Sequence, residues 1–93
     1  MAAQATPYNV TATGVVYAGA ATFRGCSIRD TSGATNTVKV FDNASAASGT
    51  VLFTVQLAAN ASVPPLSIDD GVRAVNGLFL QATGAVEGSV WVG

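Results

Sequence analysis

The stretch VKVFDNASAASGTVLFTVQL, residues 38–57, places two hydrophobic runs on either side of a small, polar segment, DNASAASG (residues 42–49). In its second half Val51, Phe53, Val55 and Leu57 fall on one face of an extended chain, and Leu52, Thr54 and Gln56 on the other. A period of two is the mark of a half-buried strand, because successive side chains of a strand point to opposite faces. Asp42 and Asn43 break the first run, since their short side chains bond nearby backbone, and Gly49 lets the chain re-enter the second. The stretch therefore reads as two strands and a hairpin loop. The loop's small, neutral residues suit a tip that touches another protein better than one that holds an ion.

The same pattern extends outward in both directions. Residues 8–17 give a first strand region with Gly14 as a bulge site, and residues 21–29 a second. DTSGATN (30–36) is a turn by composition, and AANASVPP (58–65) leads to a short strand at 66–68. The turn DDG separates that strand from another at 72–75, NG turns again, and residues 77–83 and 86–92 close the chain. Val86, Val90 and Val92 oppose Glu87, Ser89 and Trp91, while Leu78, Leu80 and Ala82 oppose Phe79, Gln81 and Thr83. About eight short strands with one apolar face each, and no helical periodicity, predict an all-β fold. The expected architecture is an antiparallel β-sandwich, jelly-roll-like, with some Greek-key crossing. Residues 15–93 form its single domain, and residues 1–14 an N-terminal segment that reads as a docking arm.

Composition narrows the function. Only 10% of the 93 residues are charged, against roughly 25% in an ordinary soluble domain, and 49% are hydrophobic. Disorder is excluded, because disordered chains are charged and poor in Val, Leu and Phe. Arg24, Arg29, Lys39 and Arg73 are scattered and the net charge is -1, so no stripe tracks nucleic-acid phosphates. Two long charge-free stretches, residues 1–23 and 43–68, are interrupted by Gln, Asn, Thr and Pro too often to span a membrane. The opening MAAQATPYNV lacks the basic and apolar regions of a signal peptide, so secretion is not expected. With so little charge to keep it dissolved, part of the surface is expected to be covered by self-association or by attachment to a larger particle.

Catalytic chemistry finds little to work with. There is no His, and the five carboxylates are Asp30, Asp42, Asp69, Asp70 and Glu87. Asp69 and Asp70 allow a coupled acid pair, but adjacent aspartates before Gly more simply start a turn. The loops DNAS, DTSG and DDG each supply one or two oxygens toward calcium, short of the six to eight oxygens that ion takes. Cys26 is the single cysteine, so neither a disulfide nor a zinc site is available to it. It reads as a small buried hydrophobe, with Arg24 on its face by alternation. NVT (9–11) and the two NAS triplets (43–45, 60–62) match the glycosylation pattern, and without an export signal they are ordinary loop chemistry. No enzyme activity, cofactor or metal is expected.

Phe79 and Trp91 lie on the less hydrophobic faces of their strands. They either cover a sheet edge, pack under a loop, or anchor a subunit contact, where aromatics concentrate. Pro7 and Tyr8, in the charge-free N-terminal segment, invite the same interface reading.

The order of the loop signatures has a counterpart. FRGCSIRDTSG, then VFDN, SGTVL, VNGLFL and GSVWVG resemble, in that order, small β-sandwich virion proteins of tailed bacteriophages and prophages. The resemblance covers residues 15–93, and residues 1–14 match less clearly. It implies a structural component of a phage particle, a capsid decoration (cement) protein bound to the major capsid protein on the outer shell. It also implies a homo-oligomer, trimer or dimer, assembled in the host cytoplasm, with no catalytic residues. A tail, neck or fibre-associated subunit is the nearest alternative. A carbohydrate-binding module with exposed aromatics as sugar platforms is a third.

Overall fold

Alternating apolar residues interrupted by Gly, Asn and Asp fold as strands wherever one face can be buried, and the interruptions become connections or bulges. The computed structural model describes residues 5–62 and 66–93. Its elements are β1 (Thr6–Val10), β2 (Gly14–Ala18), β3 (Ala21–Asp30), β4 (Asn36–Phe41), β5 (Val51–Leu57), β6 (Leu66–Ala74), β7 (Gly77–Ala82) and β8 (Val86–Val92). Residues 1–4 of the N-terminal segment and the Pro64–Pro65 end of the loop expected at 58–65 lie outside the described residues. So do the side chains of Asp69 and Asp70.

The strands form two antiparallel four-stranded sheets, in the order β1-β8-β3-β6 in the first and β2-β7-β4-β5 in the second. Every connection crosses from one sheet to the other except the β4–β5 hairpin. This is the strand order of a jelly roll. The core lies between the sheets, where Val10, Phe23, Cys26, Ile28, Val86, Val90 and Val92 of the first meet Val38, Val40, Leu57, Leu78 and Leu80 of the second. Phe23 reaches across to Phe53, with ring centres 5.9 Å apart.

The elements divide differently from the sequence pattern in two places. The region at 8–17 is two strands in different sheets, because Thr11, Ala12 and Thr13 turn the chain: Val86 donates its N–H to the Thr11 carbonyl, and the Thr13 hydroxyl donates to Ala82 O at 3.0 Å. Conversely, DDG does not end a strand. β6 runs through it, and the pairing with β3 jumps from Phe23↔Val72 to Gly25↔Ser67, leaving residues 68–71 as a wide bulge. Gly71 sits there at φ 75°, where a Cβ would overlap the Thr22 side chain. Aspartates before Gly signal a change of backbone direction, and a bulge satisfies that signal as well as a turn does.

Bulges also shift two face assignments. Arg24 is the extra residue where β3 passes β8, between Phe23↔Val92 and Gly25↔Trp91. It therefore does not share a face with Cys26; its stem runs beside Gly71 and Gly93. In β5 the extra residue is Leu52, which packs on the core, while Val51 turns outward and is 45% exposed.

One end of the sandwich is held by buried polar groups. Asp30 closes β3 in the first sheet, Asn36 opens β4 in the second, and neither is exposed to solvent. The Asp30 carboxylate accepts from the Ser32 hydroxyl (2.6 Å), the Ser32 and Gly33 N–H groups, Asn36 Nδ2 (2.9 Å) and the Asn60 N–H (2.9 Å). Asn36 Nδ2 also donates to Ala85 O, and its Oδ1 accepts from the Thr83 hydroxyl and the Gly84 N–H. Three connections, β3–β4, β5–β6 and β7–β8, thus close on one pair of side chains. The Ser32 hydroxyl, the Asn60 N–H and the Asn36 amide stabilise the charged form and outweigh burial, so the Asp30 carboxyl is held well below the usual carboxylate range.

Two outcomes follow for stability. Asn36→Ala strands the Ala85 carbonyl, the Thr83 hydroxyl and the Gly84 N–H of the β7–β8 loop and takes a donor from buried Asp30. It is expected to lower stability by about 3 kcal/mol, which urea denaturation measures. A carboxylate whose folded pKa is depressed contributes stability that is complete above its unfolded value and is lost as pH falls toward the folded one. The urea midpoint is therefore expected to hold steady down to about pH 4 and fall below it. A midpoint unchanged at pH 3 would contradict the arrangement.

Candidate protein-docking faces

The four residues expected at an interface divide among three places. Pro7 and Trp91 are register partners on β1 and β8 and share the outer face of the first sheet. Pro7 is exposed; Trp91 is half-buried and donates its indole N–H to the Ser89 hydroxyl at 2.9 Å. On its other side Trp91 is in register with Gly25. Tyr8 points the opposite way, toward the inter-sheet space, and meets Tyr17 edge-on with ring centres 5.9 Å apart. Phe79 lies on the outer face of the second sheet, 9% exposed, in register with Phe41 and Val15. Only Pro7 and Trp91 come together. The segment that carries Pro7 and Tyr8 is the edge strand β1, hydrogen-bonded to β8, rather than a separate arm.

A shallow polar hollow of about 420 Å³ opens among Asn9, Ser27, Ile28, Arg29, Ser62, Glu87 and Gly88. Arg29 Nε donates to Glu87 Oε1 at 2.9 Å, and both side chains are at least half exposed. Such a pair contributes roughly 0–1 kcal/mol, so the fold does not depend on it. Sequence spacing does not show it, because the partners are 58 residues apart and meet only through the β3–β8 register. Among the described residues, no group of three His, Cys, Asp or Glu side chains is placed to hold a metal.

The opposite end of the sandwich is built from residues 42–50 and the β6–β7 turn. The Asp42 carboxylate accepts from the N–H groups of Asn76 (2.8 Å), Val75 (3.1 Å) and Gly77 (3.4 Å). Those donors, Asn76 first, lower its pKa against the opposing effect of burial. Asn43 Oδ1 accepts from the N–H groups of Ser45 and Ala46, and its Nδ2 donates to Ser48. Gly49 takes φ 93°, against the Asp42 carbonyl. The side-chain oxygens that Asp42 and Asn43 offered toward an ion are thus engaged by the chain's own backbone. What the loop and turn present outward is small and neutral: residues 45–50 are exposed, with Val51 at 45% and Val75 at 60%.

Cys26 is fully buried, and burial pushes its thiol up to about 11. A thiolate-selective reagent is expected to leave it untouched in the folded protein and to modify it fully in denaturant; labelling at the same rate in both states would show that the strand position is wrong.

Comparison with known proteins gives no relative to lean on: no family model, no curated protein and no solved structure matches this chain.

Proposed function

We propose that the protein is a non-enzymatic structural component of a bacteriophage particle, a capsid decoration protein that docks on the outer shell and clamps neighbouring capsid subunits. The observation that carries this reading is the small, uncharged tip at residues 43–51 and 75–76, seated on Asp42. Its shape is fixed in advance by Asp42 and Asn43, and it exposes two valines, Val51 and Val75. A preorganised loop loses little conformational entropy on binding, so more of its contact energy is retained as affinity. Repeated around a shell, a contact burying roughly 1,000 Å² per site stabilises the whole particle. Jelly rolls recur in capsid proteins and in lectins, and the loop signatures from residue 15 onward resemble those of phage virion proteins, but a fold alone names no function.

A second reading, a carbohydrate-binding module, draws on Trp91 and the polar hollow, which share the outer face of the first sheet. One aromatic platform is few for that role, and Trp91 is only half-exposed.

Co-sedimentation with phage heads that lack the protein separates the readings. The protein is expected to pellet with heads, and Val75→Asp to weaken that binding about tenfold or more while leaving the melting temperature unchanged. Binding to tails alone would move the protein to the tail, neck or fibre. A monomer that ignores particles and binds a glycan array through Trp91 would overturn the proposal.

A further inference from the structure

Each lateral strand of a sandwich exposes a row of unpaired backbone N–H and C=O groups, which proteins guard against unwanted pairing. Three of the four edges here are guarded. β1 carries Pro7, which has no N–H to offer. β2 is five residues long and bulged at Val16, where its pairing with β7 slips. β6 is broken by the wide bulge ending at Gly71, and its sequence holds Asp69, Asp70 and Arg73.

β5 is different. VLFTVQL contains no charge, no Pro and no Gly, and past the bulge at Leu52 its residues 53–57 run in regular register with β4. Among the described residues β5 pairs with β4 alone. A seven-residue neutral strand of high β-propensity on an open edge is a template for another strand.

We infer that β5 is the edge on which a second copy of this chain pairs, antiparallel about a two-fold axis, joining the two β2-β7-β4-β5 sheets into one. The occupant follows from the strand's own chemistry. With the axis through Val55, Thr54 of each copy stands opposite Gln56 of the other, and Phe53 opposite Leu57. A polar pair forms on the outer face and an aromatic–aliphatic pair on the inner one, both favourable across strands. A strand without charge meets itself without repulsion, whereas a charged foreign strand finds no counter-charge on it. The nearest cation, Lys39, is on β4 in register with Thr54. The two β4 strands would lie about 14 Å apart, three strand spacings, which is beyond the screening length of about 8 Å. The paired residues 53–57 lie outside the loop tip, so pairing and shell docking can fail independently.

Sedimentation velocity over a concentration series, with far-UV circular dichroism as the check on folding, tests it. The native chain is expected to form a dimer. T54K/Q56K sets lysines opposite lysines and should raise the dimer dissociation constant at least about tenfold. T54K/Q56E sets lysine opposite glutamate and should return it to the native range. Both substitutions are at exposed positions outside the core. A chain that stays monomeric, one that forms trimers, a dimer indifferent to T54K/Q56K, or a T54K/Q56E variant as weak as the two-lysine variant would each overturn the pairing.

Discussion

Two buried side chains, Asp30 and Asn36, hold what the strand ladders cannot. In this topology the connections leave one sheet and enter the other, so their backbone groups have no neighbouring strand to pair with. At one pole the loops after β3, β5 and β7 bring such groups together, and the Asp30–Asn36 pair supplies acceptors and donors to all three. Because one residue ends a strand of the first sheet and the other begins a strand of the second, the pair also fixes how the sheets are staggered. An ionised carboxylate is tolerated without solvent only because it accepts so many bonds. Among the described residues no buried side-chain polar atom is left without a partner.

The opposite pole repeats the device with Asp42, which joins the β4–β5 loop to the β6–β7 turn. Asp30 and Asp42, whose loops each offered oxygens toward calcium, are thereby spent on architecture. Few charges are left to face solvent, and three of the four edge strands carry none at all. The surface is therefore left with shape, backbone groups and small apolar side chains as its main features, and with little charge to steer an encounter.

How much of this could be read from the residues depends on parity. Where pairing is regular, as in β8 and in β5 from Phe53 onward, alternation alone identified the buried set of Val86, Val90 and Val92 and of Phe53, Val55 and Leu57. A bulge changes parity by one residue without changing composition, which is why Val51 and Arg24 fall on faces the alternation did not assign them. DTSG was legible as a turn, but the inward aim of Asp30 depends on Asn60, thirty residues away. The placement of the residues expected at an interface was harder still to read. Trp91 and Pro7 share a face because β1 returns to lie against β8, whereas Tyr8, one position along, faces Tyr17 across the core.

The pairing of the first strand with the last has a mechanical consequence. Thr6 and Val92 are register partners, and β1 runs antiparallel to β8, so both ends of the described sandwich emerge side by side. Tension applied through those ends loads the ladder from Thr6↔Val92 to Val10↔Gly88 one rung at a time, as a zipper opens. Force delivered through the broad faces or the loop poles is instead shared by whole sheets in parallel. A molecule wired this way resists being squeezed or stretched between neighbours far better than being drawn out by its tails.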